Sequence, residues 1–103
     1  MQWPTIQARM TETLSTLEEA VLQAIARLKQ EAYGRAILNQ VHDRLGREVA
    51  AGAVHATLGR LERRRLVVSR PGLGTPIRDG RPRRFYRIEP AGLEALNNFR
   101  FSF

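Results

Sequence analysis

Cysteine is absent from the 103 residues, so disulfides, thiolate metal sites and cysteine nucleophiles are all excluded, and a reducing compartment fits. Long apolar runs are absent too, with nothing approaching the roughly 18 residues a membrane span needs. Residues 1–10 hold no apolar core of the kind a signal peptide carries, so a cytoplasmic protein without membrane contact is expected. Histidine occurs only as His42 and His55, which form no metal-ligand cluster. No Ser/His/Asp set, no paired acids in an apolar pocket and no Gly-rich phosphate loop stands out. The expectation is therefore no catalytic residue, no metal and no cofactor: a binding protein rather than an enzyme. Lysine is nearly missing, since sixteen of the seventeen basic residues are Arg. What remains, 43% hydrophobic and 26% charged, is ordinary for one domain with one modest core.

The formal net charge is +7, and its distribution says more than its size. Residues 1–50 carry six bases and six acids and are neutral. Residues 51–103 carry eleven arginines against Glu62, Asp79, Glu89 and Glu94, and ten of those arginines fall between Arg60 and Arg87. A concentrated positive face attracts a polyanion, and duplex nucleic acid is the commonest one. Arg forks onto phosphate or guanine better than Lys does. The plainer alternative is a solubilising surface, because a GC-rich genome enriches Arg without any functional reason.

Residues 1–13 are polar apart from Trp3 and read as an arm. Ser15 and Thr16 each precede a Glu by three residues, a capping-box spacing. Leu14, Leu17, Val21, Ile25 and Leu28 follow at helical spacing with Leu22 beside them, which predicts a first helix over 16–30. Ile37, Val41 and Leu45, spaced by four, predict a second helix that ends at Gly46, a C-terminal glycine. A third helix is predicted over 51–64, with Val54, Leu58 and Leu61 inward. At 100° per residue its outer face carries Gly52, Ala56, Gly59 and Arg63, flanked by His55 and Arg60. Small side chains there let the helix approach a groove closely. Residues 66–70 and 83–88 read as two strands joined by a turn-rich loop over 71–82, with Tyr86 and Ile88 inward. Glu89-Pro90 opens a last helix marked by Leu93, Leu96 and Phe99.

Three short helices, a two-stranded hairpin and a C-terminal helix make a mainly α chain with the order of a winged helix-turn-helix. The third helix would enter the major groove and the hairpin would be the wing. Arg60, Arg63 and His55 would address the groove, while Arg78, Arg81, Arg83 and Arg84 would hold backbone phosphates or probe the minor groove through the wing. The plainer readings are a solvated His55, helix charges pairing with nearby acids, and a mobile solvated wing loop. His42 reads as a surface residue.

Several segments resemble the PadR family of repressors in its short form. Gly52-Ala53-Val54-His55-Ala56-Thr57-Leu58-Gly59-Arg60-Leu61-Glu62 is similar to that family's third-helix motif. Gly80-Arg81-Pro82-Arg83-Arg84-Phe85-Tyr86-Arg87-Ile88 is similar to its wing-to-strand motif, and Ala91-Gly92-Leu93-Glu94-Ala95-Leu96 to the start of its last helix. Tyr33-Gly34 falls where the family has an aromatic residue or His before Gly, which makes Tyr33 either a DNA contact or a core plug. The resemblance implies a dimeric regulator, joined through its first and last helices, that often represses its own or a neighbouring gene. It also implies that a small aromatic or cationic effector sometimes releases such a regulator. The chain departs from the pattern at Ala50-Ala51, in place of Ser-Pro, at His55, in place of a phosphate-binding Tyr, and at Arg65, in place of Gly.

The apolar stripe of the first helix is wider than one small core obviously needs. With the aromatic end of the chain, it predicts a homodimer built on Leu14, Leu17, Val21, Leu93, Leu96, Phe99 and Phe103. The alternative is that residues 99–103 fold back over their own core. The expected organisation is an arm over 1–13, a DNA-binding domain over 14–96 and a dimer-contact tail over 97–103. The partners expected are double-stranded DNA, a second copy of the chain and an effector whose identity the residues do not reveal. A winged-helix module for protein–protein or RNA contact is the runner-up. Single-stranded RNA readers present exposed aromatic platforms, which this chain lacks in any obvious form.

Overall fold

Ser15 and Glu18 form the capping box that their spacing predicts. The Ser15 hydroxyl accepts the Glu18 N–H at 3.1 Å, and the Glu18 carboxylate accepts the Ser15 N–H at 2.8 Å. The structure is a computed structural model that describes residues 14–72 and 83–100, the Arg100 side chain apart. Helix α1 spans Thr16–Leu28, and a 3₁₀ turn, Lys29–Glu31, replaces the last turn of the predicted helix. Lys29 ends α1 at φ 54°, and its N–H bonds the Ile25 carbonyl. Helix α2 spans Gly34–Leu45 and stops where Gly46 turns left-handed at φ 67°, with its N–H on the His42 carbonyl at 2.9 Å. Glycine adopts that φ without the Cβ penalty other residues meet.

Helix α3 spans Ala51–Arg63 with Ala50 at its N-cap, and no side chain caps it. Val54, Leu58 and Leu61 face the core as predicted, and Thr57 joins them fully enclosed. The Thr57 hydroxyl is tolerated there because it donates to the Ala53 carbonyl at 2.8 Å. Arg65 then turns the chain at φ 63°, doing what Gly does more cheaply. Strand β1, Val67–Pro71, pairs antiparallel with β2, Arg84–Ile88, in the register Val67↔Ile88, Ser69↔Tyr86, Pro71↔Arg84. Tyr33 bridges Phe85 on the other side of β2, and the Tyr86 N–H bonds the Ala32 carbonyl at 2.8 Å. The centre of the hairpin is thus β2, held from both sides.

Helix α4, Pro90–Arg100, crosses the turn after α3 at Gly92. A Cβ at that position would collide with the Leu66 carbonyl oxygen and come within 2.8 Å of Ile88 Cγ1, so only glycine permits this crossing. The core gathers around α1, which packs on α2, α3, β2 and α4. This explains its wide stripe: Val21, Leu22 and Ile25 are spent inside the chain's own core. Val21 is fully enclosed and Leu14 is 6% exposed, so neither presents a surface to a second copy, contrary to the expectation for these two. Leu17, Leu96 and Phe99 are partly buried against the same core, whereas Leu93 is 53% exposed. Phe103 lies outside the described residues, as does Trp3.

Candidate nucleic-acid interface

The outer face of α3 is built from absence as much as from presence. Gly52, His55 and Ala56 are exposed, and nothing lies near the position a Cβ of Gly52 would take. Arg63 lies back across Gly59, its Nη1 3.5 Å from where a Cβ would stand. Among the described residues the Arg63 side chain takes part in no hydrogen bond or ion pair. This face has the small, basic character read from the sequence.

Arg60, exposed beside this face, also makes the internal contacts that the plainer reading of these helix charges allows. Its Nε lies 3.6 Å from Glu18 Oε2, and its Nη2 donates to the Thr57 hydroxyl at 3.1 Å. The physical reason is burial. Glu18 is only 7% exposed and draws cations to itself, including Arg64 at 3.3 Å. Glu19, equally buried, holds Arg44 of α2 at 2.6 Å. These two adjacent acids clamp the first turn of α1 to both helices of the helix-turn-helix. Their long-range partners are 25 and 46 residues away, which the sequence could not announce.

The wing carries a stack of cations and rings. The Arg83 guanidinium lies 4.3 Å from the Tyr33 ring centroid, Tyr33 meets Phe85 at 5.7 Å and 59°, and Arg70 covers Phe85 at 5.5 Å. Tyr33 is half-buried, so it supports the wing from below while leaving Arg83 exposed. Arg84 Nε donates to the Ser69 hydroxyl at 2.9 Å, and Ser69 donates to Glu62 Oε2 at 2.7 Å. That chain ties both strands to the last turn of α3. Arg78 and Arg81 lie outside the described residues.

His42 is not merely a surface side chain. Its Nε2 lies 2.9 Å from the Val49 carbonyl oxygen. A carbonyl only accepts, so Nε2 carries the proton, and the contact closes the turn between α2 and α3. Tyr86 is buried at the middle of β2. Burial pushes its phenol above the ordinary 10.0, Glu62 adds to the rise and Arg84 opposes it. A groove of about 540 Å³ runs between the end of α1 and the hairpin, lined by Ile25, Lys29, Val68, Arg70, Phe85 and Arg87 among others. Among the described residues no three His, Cys, Asp or Glu side chains gather to hold a metal, and no helix is long and apolar enough to cross a membrane.

The sequence model of the transcriptional regulator PadR-like family matches residues 21–98. No curated protein matches the chain. A PadR family transcription regulator from Clostridium difficile R20291 superposes with TM-score 0.68 at 22% identity, over 84% of this chain and 84% of that one. A PadR-like transcription factor from Bacteroides fragilis gives TM-score 0.68 at 20% identity, over 95% and 87%. The complex structure of hsRosR-S4 gives TM-score 0.62 at 23% identity over 82% of this chain, which spans 66% of that protein's length. At these identities the likeness establishes the fold, mainly helical with a winged hairpin.

Proposed function

Because the chain belongs to the PadR-like family of transcriptional regulators, we propose that it binds duplex DNA in a sequence-specific way and represses transcription as a homodimer. The observation that carries this reading is the outer face of α3, where Gly52, Ala56 and Gly59 carry little or no side chain and the Arg63 side chain is uncommitted among the described residues. An α-helix fits the major groove, and a small-residue face lets its backbone sit deep enough for one long cation to reach a base edge. Arg83, Arg84 and Arg87, exposed on or beside β2, supply charge for phosphates that flank the groove. His55, exposed in the first half of α3, can donate to a phosphate.

Dimerisation is the finer part of the proposal. One winged helix touches a short stretch of DNA, and a two-fold pair reads two half-sites. Leu93, the most exposed large apolar side chain among the described residues, supports a contact through α4, with Leu17, Leu96 and Phe99 beside the core it would extend. A gel shift tests the DNA reading, using random duplex, random single strand and the DNA upstream of the protein's own gene. Duplex binding that falls about 10³- to 10⁵-fold between roughly 50 and 200 mM salt is expected for on the order of 6–10 neutralised phosphates. A flat salt response, or single strand preferred over duplex, refutes the reading.

A further inference from the structure

Two arginines one turn apart on α3, Arg60 and Arg63, look equivalent in the sequence and are not equivalent in the fold. Arg63 lies on the outer face with no polar partner among the described residues. Arg60 is held at two points. Its Nε faces Glu18 and its Nη2 donates to Thr57, whose own proton is committed to the Ala53 carbonyl. We propose that Glu18 is a positioning residue for DNA recognition: it fastens the C-terminal end of α3 to the first turn of α1 and keeps Arg60 off the bases, so that base reading passes to Arg63. The inference rests on the proposal that the protein binds duplex DNA.

Glu18 sits in the first turn of α1 and is buried, and a buried carboxylate without partners is costly. Both of its oxygens are in use. Oε1 accepts the Ser15 N–H at 2.8 Å, which starts the helix, and Oε2 faces Arg64 Nη1 at 3.3 Å and Arg60 Nε at 3.6 Å. An Arg60 that swung out to a base would give up Glu18 and Thr57 together. Among the described residues, Arg63 would give up no polar partner, only its rest along Gly59. The same carboxylate sets where α3 ends relative to α1, so it fixes the depth and angle at which the outer face is offered. Glu18 belongs to the neutral first half of the chain, and nothing in its local pattern beyond the capping box marks it.

The test measures salt slopes of binding to a short random duplex, and sequence preference by selection from a random duplex pool. Wild type, R60A, R63A, E18Q and E18Q/R60A are compared. Glutamine keeps an oxygen for the Ser15 N–H while removing the charge that holds the arginines. R60A is expected to keep the wild-type slope and preference, and R63A to lose roughly 5- to 150-fold in preference. E18Q is expected to steepen the slope by about one unit, as a freed arginine finds a phosphate, and to weaken preference. E18Q/R60A is expected to return to the wild-type slope. An R60A protein whose slope falls by about one unit overturns the proposal, because Arg60 is then already on the DNA. E18Q with wild-type slope and preference also overturns it. If E18Q does not fold, the R60A and R63A arms decide alone. A wild type that does not bind duplex sinks the functional reading itself, a result distinct from either of these.

Discussion

Gly92→Ala offers a sharp test of how α4 is seated. On propensity alone the change favours a helix by about 1 kcal/mol. The structure reverses the sign. The new Cβ would collide with the Leu66 carbonyl oxygen and press on Ile88 Cγ1 at 2.8 Å. The carbonyl belongs to the backbone and cannot rotate away. It also accepts the Glu89 N–H at 2.9 Å, the bond that leads the chain into α4. Relieving the clash means lifting α4, which loosens that bond at a cost of about 0.5–1.5 kcal/mol and adds overpacking of about 1–3 kcal/mol. After subtracting the propensity gain, the net loss is about 0.5–3.5 kcal/mol. For a domain of this size that lowers Tm by about 2–28 °C. Gly34→Ala is the control: the same chemical change in the first turn of α2, at an ordinary φ with nothing within 4 Å. It should be neutral or stabilising by up to about 1 kcal/mol. Urea and thermal unfolding of both variants decide. Equal stability of the two would refute the close crossing of α4 over Leu66.

Arg65→Gly should stabilise the fold by about 0.5–1 kcal/mol, since glycine removes the left-handed penalty at φ 63° at some cost in chain entropy; urea midpoints read the change. Leu93→Glu should shift sedimentation toward monomer and weaken duplex binding while leaving Tm nearly unchanged, because the side chain is exposed; a variant that stays dimeric would move the interface elsewhere. Tyr86 binds its proton more tightly folded than unfolded. Its contribution is therefore complete below pH 10 and is lost as pH rises from 10 through the raised folded value; Tyr86→Phe should flatten that alkaline loss in pH-dependent unfolding, and an unchanged slope would refute the assignment.

The elements are legible in the sequence because each has a local cause: the Ser15–Glu18 box, the four-residue spacing of Ile37 and Val41, Gly46 at the end of α2, the β-branched run before Pro71. The outer face of α3 is legible for the same reason, since helical periodicity alone places Gly52, Ala56 and Arg63 together. What periodicity cannot tell is whether an apolar stripe meets its own chain or another. Val21 and Leu14 fit a partner contact by pattern, yet the core has already taken them. Nor does it reveal partners chosen by burial: Arg60 goes to Glu18, and Arg83 settles over Tyr33, only because the fold brings an enclosed carboxylate and a ring beside them. His42 reads as a plain surface residue in the sequence because its acceptor, the Val49 carbonyl, is a backbone atom and leaves no mark in the side-chain pattern.

The place of β2 between β1 and the Ala32–Tyr33 backbone bears on how copies of the protein coexist at high concentration. An unpaired strand margin is a template onto which a neighbouring molecule's hairpin can add, the first step toward fibrous assembly. With β2 occupied on both margins, that exposure falls to β1. This strand is five residues long, carries the exposed cation of Arg70 and ends at Pro71, which has no amide proton to give. A basic hairpin built in this way is thereby a poor seed for aggregation.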